Sequence, residues 1–194
     1  MPPPGESEGR RLMDAQQLST DAAQSRLQVA KVALTLRREV RACDREDVRR
    51  ILDATGVFHP REIDVAEELV IDALSKGSES EYLFIFADVD DTTVGYICYG
   101  AISMTEAGFD LYWIATDPRF YNRDVATKLL REAEGHIAAL GGRHIFVETS
   151  SKEQYLPARG FYKKSGYIEV ARVPNYYADG DDKMIMTTTL SEKR

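Results

Sequence analysis

One stretch limits what this chain can become more than any other: Phe109–Leu130, FDLYWIATDPRFYNRDVATKLL, together with the run His144–Thr149 that follows it. The apolar segment Leu111–Ala115 has the character of a strand and ends at Asp117-Pro118. Beyond a short polar loop, Val125, Leu129, Leu130, Ala133, Ile137 and Leu140 recur at helical spacing until Gly141-Gly142 stops the helix. His144–Thr149 reads as a buried-type strand. A whole helix separates it from 109–116, so the two strands are expected to lie parallel. A strand, a helix and a second parallel strand commit the chain to an α/β sheet.

The junction between the first strand and the helix carries the chemistry. A helix N-terminus presents unpartnered N–H groups and the positive end of the helix dipole, which suits a phosphate. Loops of this kind normally use glycine so that the backbone can approach the ligand. Here the turn is Tyr121-Asn122-Arg123-Asp124-Val125-Ala126, with no glycine and a carboxylate inside it. Two readings stand side by side: Asp124 opposes a bound phosphate, or it lies in the first helical turn and satisfies the dipole itself.

The rest of the chain fits around that unit. Val32–Val40 alternates apolar and polar residues as a half-buried strand does. Asp44 is placed to N-cap a helix that runs to about Ala54 and stops at Gly56. Pro60 opens a second helix that closes at Lys76-Gly77. Tyr82–Asp88 and Val94–Ile102, joined by a turn at Asp90-Asp91-Thr92, make an antiparallel hairpin. A short helix over 152–165 and strands over 167–173 and 183–190 complete the order β-α-α-β-β-β-α-β-α-β-β. Residues 1–31 form an N-terminal extension, expected to be mobile with a helical segment over 15–29; the domain covers 32–190, and 191–194 are a C-terminal tail.

Composition narrows the function. A chain of 194 residues suffices for one well-buried domain, and a formal charge of -7 with dispersed basic residues argues against nucleic acid as a partner. Cys43 and Cys98 have no metal-ligand or C-x-x-C spacing, which points to reduced thiols and a cytoplasmic protein. No leader pattern opens the sequence and no apolar run has the length of a membrane span, so a membrane is not expected as a partner. His59, His136 and His144 are scattered, and Asp179-Gly-Asp-Asp182 lacks a calcium loop's closing glutamate, so no metal site is expected.

Taken with the element order, three segments resemble the GNAT superfamily of N-acetyltransferases: Tyr112–Leu130, the strand Phe146-Val-Glu-Thr-Ser150, and Arg159-Gly-Phe-Tyr-Lys-Lys-Ser-Gly-Tyr167. The resemblance spans about residues 32–190. It implies a mixed central β-sheet with two splayed parallel strands, flanked by helices, and acetyl-CoA as co-substrate in the gap between those strands. It further implies that the backbone of Ile114, Ala115 and Thr116 pairs with the pantetheine arm. Tyr121, Asn122, Arg123, Asp124, Val125, Ala126 and Thr127 would then surround the pyrophosphate. The family's loop has glycine where this chain has Asp124. A carboxylate about 4 Å from a phosphate charge costs roughly 4 kcal/mol at an effective dielectric of 20, which Arg123 and Arg119 could partly offset.

Acetyl transfer to an amine needs a base for the amine, a donor to the developing oxyanion and a proton for the departing thiolate. By resemblance Tyr162 is that acid; read on its own, it is a packed aromatic on a short helix. The oxyanion donor would be a backbone N–H near Ile114 or Ala115. Asp110 and Glu148 are the candidate bases, with Glu148 the stronger because a carboxylate after the apolar run 145–147 requires a polar partner. Tyr112, Tyr176 and Tyr177 are candidates to line a pocket for a small cationic amine, whereas Trp113 reads as core packing. The expected function is N-acetylation of a small amine or amino acid by direct attack, with a homodimer left open. The alternative is a binding or regulatory module on the same fold with little acetyl-CoA affinity.

Overall fold

The computed structural model describes residues 33–190. The expected extension 1–31 and tail 191–194 therefore lie outside the described residues. In chain order the elements are β1 (Leu34–Arg37), α1 (Asp44–Thr55), α2 (Pro60–Lys76), β2 (Leu83–Val89), β3 (Thr92–Ala101), β4 (Gly108–Thr116), α3 (Val125–Ala139), β5 (His144–Ser150), α4 (Leu156–Lys164), β6 (Ile168–Ala178) and β7 (Asp181–Thr189). This is the element order that the sequence implies. The seven strands form one sheet in the order β1-β2-β3-β4-β5-β7-β6. Every neighbouring pair is antiparallel except β4 and β5, which are parallel, as a helical crossover requires.

Each sheet face carries its own core. On one, Ile85, Ile97, Leu111, Ile145 and Val147 meet Val125, Leu129, Ala133 and Ile137 of α3. On the other, Phe84, Phe86, Tyr96 and Cys98 meet Val48, Ile51 and Leu52 of α1 and Ile63, Ala66 and Val70 of α2. The period-2 pleat sends alternate residues of β2 and β3 to opposite faces, so these central strands are apolar on both. α1 and α2 are tied by Arg45 and Arg49, which both reach the buried carboxylate of Glu67.

Some local expectations change. Asp44 does not cap α1 as its N-cap; it is the first helical residue, fully buried, and accepts from the Arg41 N–H at 2.7 Å and from Arg37 at 2.5 and 2.8 Å. Arg37 also donates to Asp88 at 2.7 Å and Thr93 at 3.1 Å, so a charged cluster anchors β1 and α1 to the hairpin β2–β3. That hairpin turns on Asp90 and Asp91 at φ 47° and 60°, the left-handed pair a two-residue turn demands. The expected helix 152–165 begins instead as a 3-10 turn over Glu153–Tyr155 before α4. Residues 174–178, beyond the strand expected over 167–173, extend β6 with an irregularity between Val173 and Ala178. Among the described residues no helix is long and apolar enough to cross a membrane.

Candidate active site

The parallel pairing of β4 with β5 lasts only from Gly108↔His144 to Leu111↔Val147. Beyond it, β5 keeps its partner on the other side, with Glu148, Thr149 and Ser150 opposite Ile185, Met184 and Lys183 of β7. β4 likewise stays with β3 as far as Thr116↔Gly95. The two parallel strands therefore part, and the edge of β4 from Tyr112 onward faces a gap instead of a strand. A β-bulge sits at the same level: Cys98 pairs with Trp113 and Tyr99 with Leu111, leaving Tyr112 as the extra residue. Bulges bend a strand and sharpen its twist, which accounts for the divergence.

The bulge also reverses the pleat. Leu111 belongs to the α3 face, and without the extra residue Trp113 would share it. Instead Trp113 and Ala115 pack on the α1–α2 face, while Ile114 turns to α3. Trp113, read from sequence as core packing, is half-buried and lines the gap.

The gap is a cleft of about 890 Å³. Of the residues singled out from the sequence it brings together Asp110, Tyr112, Ile114, Glu148, Tyr162 and Tyr177. Ala115, Thr116, Tyr176 and the loop 121–127 are not among its lining residues. Tyr176 instead lies edge-on to Tyr177, with the Lys183 ammonium 3.7 Å from its ring centroid. Phe58, Glu62, Tyr155 and Trp113 are cleft residues that sequence reasoning did not single out as such. The first two come from the α1–α2 loop and α2, about fifty positions before β4, and nothing local in the sequence signals that approach.

The two candidate bases have different surroundings. Glu148 is half-exposed and pairs with Lys183 at 2.6 Å. Lys183 is held above its ordinary value: burial acts downward, but hydrogen bonds to Glu148 and Tyr176 outweigh it. Asp110 has no ion pair among the described residues; burial, then the charge of Glu148, raises its carboxyl above the ordinary value, with Lys183 acting the other way. Tyr162 lines the cleft from α4 and is 5 % exposed, and burial raises its phenol above the ordinary value of 10. It therefore remains a proton donor through the neutral range.

The surroundings of the loop 121–127 and the edge of β4 fit an anionic ligand with an amide-bearing arm. Groups on the free edge of β4 lack a strand partner, which is the geometry in which an extended ligand adds like a strand. Thr116, at the end of that edge, has a buried hydroxyl oxygen without a hydrogen-bond partner. Asp124 is the N-cap residue of α3 at φ 58°, and its side chain makes no capping bond. It lies one position before the first turn and its side chain satisfies none of the helix N–H groups by hydrogen bonding. The first turn of α3 holds no acidic residue, and its N–H groups are left for an anion. The backbone adopts at Asn122 and Asp124 the left-handed conformation that glycine usually supplies, using two residue types that tolerate it. Arg123 lies over the Phe120 ring at 5.2 Å, whereas Arg119 is engaged with Asp117 at 2.7 Å. Of the two arginines expected to offset Asp124, only Arg123 is left for that task.

Asp117 holds this loop in place. It is 2 % exposed, accepts from the Arg119 N–H at 3.0 Å, and receives Arg50 of α1 at 3.1 Å. Hydrogen bonds from Arg119, which outweigh burial, lower its carboxyl below the ordinary value. One group with metal-ligand spacing, Cys43, Asp44 and Asp47, occurs among the described residues. Its carboxylates are taken by Arg37 and Arg50.

Comparison with known proteins agrees with this geometry. The acetyltransferase (GNAT) domain family matches residues 80–169. A solved structure assigned to the GNAT acetyltransferase family, from Desulfovibrio desulfuricans, is 40% identical with a TM-score of 0.80, covering 82% of this chain and 100% of its own. An uncharacterized N-acetyltransferase of Methanocaldococcus jannaschii is 27% identical over 139 residues, 66% of this chain and 86% of that protein. The PaiA N-acetyltransferase of Thermoplasma acidophilum, solved with coenzyme A, shares the fold at 20% identity and a TM-score of 0.63, covering 81% of this chain and 99% of its own.

Proposed function

We propose, from the premise that this chain belongs to the GNAT family of acetyltransferases and is an N-acetyltransferase, that it moves an acetyl group from acetyl-CoA to a small primary amine in the cleft between β4 and β5. The observation that carries this reading is the convergence of Asp110, Glu148 and Tyr162 on one cleft, from three separate elements. The free edge of β4 from Tyr112 to Thr116 would hold the pantetheine arm. The N–H groups at the start of α3, with Arg123, would hold the pyrophosphate. Two free cysteines, one exposed and one buried, suit a reducing cytoplasm.

Asp110 takes the role of base. A carboxyl raised by burial is a better proton acceptor near neutral pH than one neutralised by a lysine. Asp110 accepts a proton from the bound ammonium, which frees the nitrogen lone pair for attack on the thioester carbonyl. Glu148 fixes Lys183 beside it. Tyr162 gives its phenolic proton to the sulfur as the C–S bond breaks, and the phenolate regains a proton from the nitrogen as the amide forms. The ranking of the two carboxylates is thus the reverse of the one expected from sequence.

Compactness of the acceptor is supported by the cleft's outer wall. Gln154 Nε2 donates to the Val57 carbonyl at 3.0 Å, and the Tyr155 hydroxyl donates to Glu62 at 3.4 Å. These bonds tie the 3-10 turn before α4 to the α1–α2 loop and to the first turn of α2.

Amine-dependent release of coenzyme thiol tests the reading. Tyr162→Phe is expected to lower kcat by about 10²- to 10⁴-fold while leaving coenzyme affinity in place. Full turnover by that variant would remove Tyr162 from the chemistry. The second reading, a binding or regulatory module, is favoured by the Asp124 carboxylate at the start of α3. It predicts no calorimetric heat when acetyl-CoA is titrated into the wild type.

A further inference from the structure

The charges and rings of the cleft are distributed in a way that specifies more than an amine. Four carboxylates line it: Glu62, Asp110, Glu148 and Asp181. Three are occupied. Glu62 accepts from the His59 N–H at 2.7 Å and from the Tyr155 hydroxyl. Asp181 accepts from Ser150 and lies 3.4 Å from the Lys152 ammonium. Glu148 holds Lys183 at 2.6 Å. Asp110 alone has neither an ion pair nor a side-chain hydrogen bond among the described residues. Glu62 has neutral donors and no cation, whereas Asp110 has no side-chain partner of any kind among the described residues. Asp110 is therefore the carboxylate with its acceptor positions open to an ammonium group.

Beside Asp110 the wall is aromatic. The bulge at Tyr112 turns Trp113 to the α1–α2 face, where its ring meets Phe58 edge-on at 5.2 Å. Phe58 in turn meets Tyr155 edge-on at 6.3 Å. All three rings are half-buried and all three line the cleft, so part of each ring remains open to a ligand. Hydrogen bonds from Tyr155 to Glu62 and from Gln154 to Val57 keep this wall from collapsing or opening freely.

Resting on the acetyl-transfer reading above, we infer that the acceptor is a primary amine carrying an aryl or similarly bulky apolar group, its ammonium at Asp110 and its apolar body against Phe58, Trp113 and Tyr155. Burying a phenyl-sized group against such a wall raises kcat/KM by roughly 10- to 100-fold over an amine that lacks it. A polyamine has no comparable apolar body to bury against the same wall.

The test compares 2-phenylethylamine, ethylamine and spermidine as acceptors for the full-length protein, and pairs turnover with a binding signal. Trp113 is the only tryptophan of the chain, so its fluorescence reports on this wall directly. The expected results are preference for 2-phenylethylamine in kcat/KM, a saturable change in Trp113 fluorescence with that amine, and loss of the preference in Phe58→Ala. Tyr162→Phe should keep the fluorescence response while losing turnover. Should Phe58→Ala fail to fold, Tyr155→Leu serves in its place, since it removes a ring from the same wall. Equal or better turnover of ethylamine or spermidine would overturn the acceptor class and leave acetyl transfer intact. Fluorescence binding of 2-phenylethylamine with no acetylation of any amine would overturn acetyl transfer instead. Absence of both signals would overturn the inference.

Discussion

Asp124 is the residue at which this chain departs from what its fold asks for, and replacing it gives a two-part prediction. Its φ of 58° is a conformation natural to glycine, so Asp124→Gly removes a backbone penalty of about 1 kcal/mol. The glycine loses more freedom on folding, at a cost of about 0.5–1 kcal/mol, and the two effects nearly cancel. Global stability should therefore move by less than about 1 kcal/mol in urea unfolding. Affinity for acetyl-CoA should respond much more. A carboxylate about 4 Å from a phosphate charge costs roughly 4 kcal/mol at a dielectric of 20 and roughly 1 kcal/mol in water. Asp124 is exposed, which places the effect at the lower end, about a fivefold gain in affinity per nearby phosphate charge. Asp124→Asn separates charge from backbone, because asparagine keeps the left-handed tolerance and loses the charge. Calorimetric titration at low and high salt should show both variants binding more tightly than the wild type. The advantage should shrink as salt screens it, with a Debye length of about 10 Å at 0.1 M. Equal affinity in all three proteins, or a gain confined to glycine and indifferent to salt, would refute the electrostatic reasoning.

The remaining expectations concern two carboxylates that do different work, half-buried Asp110 and fully buried Asp44. Asp110 is raised in the folded state above its ordinary 3.8, so its contribution to stability is full below that value and is lost as pH rises through the folded pKa. Asp110→Asn should therefore melt higher than the wild type at pH 7, with the difference closing in acid, and a wild type more stable at pH 7 would contradict this. Asp44→Ala leaves the Arg37 guanidinium without its main buried partner and should cost about 3–5 kcal/mol in urea unfolding. A loss below about 1 kcal/mol would mean that Asp88 and Thr93 suffice to hold Arg37.

Local pattern carried a large part of this protein. The apolar run 111–115, the helical spacing from Val125 to Ile137 and the intervening loop defined a parallel strand–helix–strand unit. Asp110 and Glu148, which ride on that unit's strands, and Tyr162, named for chemistry by the family resemblance, line one cleft. Those signals are legible because pleat and helix periodicity act within a few residues of one another. What the chain alone could not reveal depended on partners distant in sequence. Glu148 reads as the stronger base from sequence, and nothing local there shows that β7 sets Lys183 against it. Trp113 reads as core and does pack against the α1–α2 core, but one extra residue at Tyr112 set its face of the sheet, beside Phe58 and on the cleft. Arg119 looked like a phosphate ligand until Asp117 claimed it. Sequence set which groups exist and roughly which element each rides on. The fold alone decided which charges were already spent, because ion pairs and aromatic contacts form across elements that local periodicity cannot relate.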